Sequence, residues 1–195
     1  MKKKITLIII GVVFATLVMT AVLFFTKRGQ TDIIIDNTIP RITVTSAAFN
    51  DLGVIPVEHT GRGNDVSPPF ELSGLMDNAT SIAIIMDDLD VPWKSNFTHW
   101  VIWNIPASAD ISEGISQGAY VPELNGAIQG VAFGRNHYRG PMPPFGTHRY
   151  QFHIFVLDTM IDLDSSCGKG ELLTAMQAHI LQYGILTGWY PREDN

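Results

Sequence analysis

Apolar residues are not evenly spread along the chain, and their periods divide it. Ile5 to Phe25 is a nearly unbroken run of 21 residues interrupted only by Thr6, Gly11, Thr16 and Thr20. At 1.5 Å per residue such a run can cross a bilayer core of about 30 Å. Beyond it the pattern changes to short extended pieces. Ile42 and Val44 alternate with polar neighbours, Val54-Ile55-Pro56-Val57 is a short piece whose proline suits an edge, and Phe70-Glu71-Leu72 follows a turn-rich stretch. Thr80 to Met86 is apolar almost continuously, as a strand buried on both faces should be. Thr98 to Ile105 is a second such strand. Strict alternation puts His99, Val101, Trp103 and Ile105 on one face and Trp100, Ile102 and Asn104 on the other. Gln151 to Asp158 is the third strong strand.

Between these strands, Pro106 to Arg135 is long, polar and glycine-rich, with one short strand expected near Ala127 to Gln129. Glu171 to Gln182 carries Leu172, Leu173, Met176 and Ile180 at helical spacing and ends before Gly184, and Ile185 to Tyr190 reads as the closing strand. The predicted class is all-β with one C-terminal helix, preceded by an N-terminal transmembrane helix. The predicted divisions are a signal anchor over 1–28, a tether over 29–40 and a globular domain over 41–195.

Charge refines this picture. Lys2, Lys3 and Lys4 precede the apolar run and Lys27 and Arg28 follow it. That bias predicts an uncleaved single-pass anchor with a cytoplasmic N-terminus and the domain on the extracytoplasmic side. Residues 29 to 195 hold eight basic and 19 acidic side chains, a formal charge of −11. A surface of that sign repels polyanions, so no nucleic acid is expected as a partner. Cys167 is the single cysteine and cannot form an intramolecular disulfide.

The densest chemistry lies in Tyr138 to Tyr150, where Pro141, Pro143 and Pro144 fix φ and Gly140 and Gly146 permit close approach. This stiff loop runs into the third strand, in which His148 and Tyr150 share a face and Arg149 takes the other. Asp87, Asp88 and Asp90 follow the first buried strand, and His99 stands near the start of the second. Two imidazoles, a phenol and a carboxylate at converging strand ends suit a small anion such as phosphate. Asp87 and Asp90 are expected to order their loop by accepting backbone N–H bonds, and His153 and His179 to be structural. No His-x-x-x-His pair, Gly-x-Ser-x-Gly elbow or cysteine cluster occurs, so neither catalytic nor metal-binding residues, nor a cofactor, are predicted.

At these residues the chain resembles the phosphatidylethanolamine-binding proteins, in particular the bacterial and archaeal branch described as Raf kinase inhibitor-like. Asn64 to Pro69 resembles the family's Asn-x-Ser-Pro-Pro segment, and Asp88 to Pro92 its Asp-Pro-Asp-Ala-Pro motif. His99 to Pro106 is similar to its His-Trp strand, and Gly140 to Tyr150 to its Gly-Pro-x-Pro-Pro…His-Arg-Tyr loop. Glu171 to Leu181 and Gly188 to Arg192 resemble its terminal helix and strand. The resemblance covers about Arg41 to Arg192. It implies an antiparallel β-sandwich with an anion pocket formed by Asp88, His99, Pro143, His148 and Tyr150 and lined by Phe97 and Gly140. The implied partner is a small anionic ligand or phospholipid headgroup, held without catalysis. An alternative is an inhibitor of a protein target, working through the loop region Pro106 to Arg135. Leu89, Val91 and Met142 depart from the family pattern and are expected to make the pocket mouth more apolar and narrower.

Overall fold

Two sheets form the frame. The computed structural model describes residues 32–33, 35–92 and 96–192. The smaller sheet pairs β1 (Thr43–Thr45) with β3 (Phe70–Ser73) and β3 with β6 (Asp110–Ile111). The larger has seven strands in the order β2 (Gly53–Val54), β10 (Ile180–Pro191), β9 (Thr147–Leu157), β4 (Ser81–Asp88), β5 (Phe97–Pro106), β8 (Ala127–Gln129) and β7 (Tyr120–Val121). All neighbours are antiparallel except the edge pair β2 and β10.

The alternation of β4 explains its continuous apolar sequence, because both of its faces are covered. Ile82, Ile84 and Met86 enter a core shared with Val44, Phe70 and Leu72 of the small sheet, while Ala83 and Ile85 enter a second core on the opposite face. That second core is roofed by α1 (Lys169–Met176), whose Leu172 and Met176 are fully buried. The order of layers is therefore small sheet, large sheet, helix. Each buried Leu, Ile, Phe or Met contributes about 1.5–3 kcal/mol relative to exposure, so these two cores supply the main stabilisation. Ile33, Ile35 and Ile39, within the stretch expected to be a tether, pack against the second core.

Several expectations are corrected. α1 stops at Met176, and Ile180 already belongs to β10, paired with Leu157. Ile180, Leu181 and Tyr183 fit an apolar helical stripe and a two-sided strand equally well. Tertiary pairing with β9 decides for the strand. The loop region 106–135 contains the expected strand at Ala127–Gln129 and also β6 and β7.

The transmembrane expectation is overturned as well. Among the described residues no helix is long and apolar enough to cross a membrane. The eight residues of α1 span roughly 12 Å, well short of a hydrocarbon core of about 30 Å. The run Ile5 to Phe25 lies outside the described residues. An apolar run of sufficient length is a necessary condition for a span and not a sufficient one. Among the described residues the fold is mostly β with one short helix. The predicted N-terminal transmembrane helix, membrane attachment through it, and the extracytoplasmic single-pass arrangement are withdrawn.

Candidate functional site

Three neighbouring strands bring the predicted residues to one end of the large sheet. Asp88, the last residue of β4, pairs with Tyr150 of β9 on one side and Phe97 of β5 on the other. His148 and Tyr150 share a face of β9, as their spacing requires, and a cavity of about 290 Å³ opens beside them. Asp88, Phe97, His99, Pro143, His148 and Tyr150 all line it.

His99 reaches this face by a device that strict alternation cannot foresee. Met86 pairs with Trp100 but the next residue, Asp87, pairs with Thr98, so His99 is an extra residue on β5. This bulge turns His99 to the side of Tyr150, with ring centroids 5.3 Å apart. Val101 and Trp103, its predicted face-mates, lie in the helix-side core instead. A second irregularity between Ile82 and Ile84 brings Ile105 into the core of Trp100 and Ile102, and there Asn104 takes φ 62°.

The Pro/Gly loop is bolted to the Ser-Pro-Pro segment. The Asp65 carboxylate accepts from Gly140 N–H at 2.6 Å and from Arg139 at 3.1 Å, and the Tyr138 hydroxyl donates to the His59 carbonyl at 2.7 Å. Gly140 is thus a spacer behind the wall and does not line the cavity, contrary to expectation. A Cβ there would collide with the His59 carbonyl oxygen, which is why this position requires glycine. The same loop presents the Arg139 carbonyl to His99.

Hydrogen bonds fix the protons of the site. His99 Nδ1 lies 2.9 Å from the Arg139 carbonyl oxygen, which can only accept, so Nδ1 carries hydrogen and Nε2 faces the cavity side, 4.0 Å from Asp88 Oδ2. Burial holds the His99 pKa below its ordinary value, opposed by the Arg139 carbonyl and Asp88. His148 Nδ1 donates to Asp88 Oδ2 at 2.8 Å, while Asp88 Oδ1 accepts from Asp90 N–H at 2.9 Å. Two polar atoms are left over. His148 Nε2 is buried and has no hydrogen-bond partner, and the buried Tyr150 hydroxyl makes no well-formed bond, although the Asp88 carboxylate and the Met142 backbone lie close enough to act on its proton. The Tyr150 pKa is raised, by burial first and by the Asp88 charge second, so the phenol keeps its proton.

The walls are apolar. Val91, Pro92, Phe133, Met142, Pro144 and Phe145 are the other described residues that line the cavity. Val91 and Met142, two of the departures from the family motif, lie on it, whereas Leu89 does not. Phe133 was missed. It stands in the polar 106–135 region at φ 51°, and its ring packs edge-on against Phe97 at 4.9 Å and beside His99 at 5.5 Å. A lone phenylalanine in a polar, glycine-rich stretch is the signal that could have found it. Arg149, on the opposite face of β9, makes a two-pronged bond to Asp90, which holds the Asp90 carboxyl below its ordinary pKa. Asp90 also accepts from Arg149 N–H and so does order its loop. Asp87 does not: it is fully buried, accepting from Thr98 at 2.8 Å and from the Lys169 ammonium at 2.6 Å.

Residues 45–191 match the family described as phosphatidylethanolamine-binding protein. The chain belongs to this family. A UPF0098 protein of Pyrococcus horikoshii is 42% identical over 151 residues, covering 76% of each chain. A UPF0098 protein of Methanothermobacter thermautotrophicus is 43% identical over 147 residues, covering 74% of this chain and 95% of the relative. The crystal structure of a putative phosphatidylethanolamine-binding protein homolog, CT736 of Chlamydia trachomatis, matches with TM-score 0.70 and 30% identity over 80% of this chain and 99% of that one. Escherichia coli YbcL, described as a new member of the mammalian family, matches with TM-score 0.69 and 27% identity over 78% and 99%. In this phosphatidylethanolamine-binding protein domain, then, the cavity at the end of β4, β5 and β9 is the place where the resemblance of motifs and the convergence of side chains coincide.

Proposed function

We propose that the cavity binds the phosphate or a comparable oxyanion group of a small ligand, a phosphate-bearing metabolite or a phospholipid headgroup, and holds it without chemical turnover. The observation that carries this reading is the pair of buried polar atoms without well-formed bonds, His148 Nε2 and the Tyr150 hydroxyl, beside one cavity. An unsatisfied buried polar group costs about 1–3 kcal/mol, which a ligand able to accept from both would relieve. With Asp88 bound to Nδ1, a protonated His148 presents Nε2–H outward, and the imidazolium offsets the Asp88 charge that would otherwise repel an anion. The apolar walls suit a hydrocarbon portion adjoining the charged group.

Non-catalytic binding is supported by the lining itself. Among the described residues it contains no serine, threonine, cysteine or lysine, and the one hydroxyl they supply, that of Tyr150, is held protonated. The test is calorimetric titration of the full chain with inorganic phosphate and phosphorylethanolamine, compared with His148→Ala. Saturable binding by the wild type, weakened in the variant, is the expected result. Absence of saturable binding in both proteins removes the proposal, and turnover of a phosphoester lost in His99→Ala replaces it with an enzymatic one.

A second reading is favoured by one feature of the 106–135 region, where Tyr120, Val131 and Phe133 are large apolar residues exposed to solvent. Such residues suit contact with a protein partner, as in an inhibitor module. Replacing Tyr120 and Val131 by serine would abolish capture of that partner while leaving phosphate binding intact.

A further inference from the structure

One polar atom at the cavity is of the opposite kind from the rest. A bound oxyanion offers lone pairs, so it is met by groups that carry hydrogen, and the Tyr150 hydroxyl, which keeps its proton, is such a group. His99 is not. Its Nδ1 lies 2.9 Å from the Arg139 carbonyl oxygen, a pure acceptor, so the hydrogen of the ring is committed there. That carbonyl is itself fixed, because Asp65 holds the Gly140 N–H at 2.6 Å and the Arg139 guanidinium at 3.1 Å. Burial keeps a second proton off the imidazole, against the pull of the Arg139 carbonyl and Asp88. Nε2 is therefore a lone pair. It stands 4.0 Å from Asp88 Oδ2, beyond hydrogen-bond reach, and that oxygen already accepts from His148 Nδ1 at 2.8 Å.

Tyr150 adjoins both imidazoles, with ring centroids 5.3 Å from His99 and 6.4 Å from His148, so a group that reaches the phenol also meets His99. An oxyanion without hydrogen sets its own lone pair against Nε2, beside the Asp88 charge. An oxyanion with a hydroxyl turns the same contact into an O–H···N bond. We infer that His99 makes the cavity selective for a phosphate that keeps an acidic hydroxyl, either inorganic phosphate or a phosphate monoester. Sulfate and phosphodiesters, an intact phospholipid headgroup among them, lack that hydroxyl and are selected against. The selectivity rests on the anion-binding reading of the cavity and narrows its ligand from any oxyanion to one that both accepts and donates. His99 binds and discriminates, with no bond of the ligand made or broken.

Calorimetric titration of the full chain at about pH 6.5, where a phosphate monoester with a second pKa of about 6 is still partly protonated, tests this with two pairs of ligands. Inorganic phosphate and sulfate share a shape, but only phosphate carries a hydroxyl. Phosphorylethanolamine and glycerophosphorylethanolamine share an ammonium, which can also donate to an imidazole, but only the first keeps an acidic hydroxyl. In each pair the first ligand should bind at least about tenfold tighter, since its partner leaves a buried acceptor unmet. His99→Leu should lose the preference, binding phosphate more weakly and sulfate no more weakly than before. Nitrogen-labelled histidine supplies a readout that needs no variant. At neutral pH, Nε2 of His99 should give the signal of an unprotonated nitrogen and move when phosphate is added. Equal affinity within either pair, a preference that survives in His99→Leu, or a protonated Nε2 in the free protein would each overturn the selectivity while the anion site stands. Binding of neither phosphate nor sulfate would remove both.

Discussion

Asp87 and Asp88 are consecutive carboxylates at the end of one strand, yet they belong to different worlds. Asp87 points toward the helix layer, where Thr98 and Lys169 bond to it and His153 Nε2 approaches to 3.7 Å. His153 Nδ1 in turn pairs with the Tyr183 hydroxyl at 2.5 Å. Every charge there has a partner within the protein. Asp88 points the other way and bonds to a histidine whose far nitrogen, like the adjacent phenol, is left unsatisfied. The same residue type, one position apart, thus closes a structural network on one face and borders an open cavity on the other. What separates them is the completeness of the polar shell, since both are buried.

The largest test of this contrast is on the closed side. Lys169→Met leaves Asp87 buried and unpaired, which should cost about 3–5 kcal/mol in urea denaturation, and the double variant with Asp87→Asn should recover part of it. Next comes acid. Burial, aided by Lys169 and opposed by Asp87, lowers the His153 pKa from 6.5 to about 4. Below pH of about 6.5 the unfolded chain takes up a proton that the folded chain refuses. Stability should therefore fall between about pH 6.5 and 4, by on the order of 3 kcal/mol from this residue. His153→Gln should flatten that slope in denaturation midpoints taken across the window.

On the open side the signs differ. Tyr150→Phe removes a hydroxyl that makes no well-formed bond, so stability should change by less than about 1 kcal/mol, while phosphate affinity in calorimetry should drop about tenfold. A large loss of stability would show that the phenol belongs to the framework and would erase the distinction. The smallest effect is expected at Phe133, which is 49% exposed. Phe133→Ala should shift the melting free energy by less than about 0.5 kcal/mol and weaken only ligands that carry a hydrocarbon portion beside the phosphate.

Much of the open side was readable beforehand because its determinants are local. The two-residue spacing of His148 and Tyr150, the prolines that stiffen their loop and the acids after Met86 each act within a few residues. Family motifs added Phe97 and Pro143. The closed side was hidden, because Asp87 meets Lys169 across 82 positions and nothing near Asp87 marks it as buried. Gly140 was misplaced for the same reason, its constraint being the distant His59 carbonyl. The early start of β10 was lost to an ambiguous apolar pattern, and the face of His99 to a pairing irregularity that leaves no trace in periodicity.

That irregularity carries an evolutionary consequence. Because His99 occupies an extra position in β5, its imidazole is uncoupled from the in-and-out order that Trp100 and Val101 must obey. Losing or gaining a single amino acid at this mouth would exchange the group that lines the cavity while the interior beneath stays in place. Such a domain can change the chemistry of its cavity through length variation at one spot, without rebuilding its scaffold.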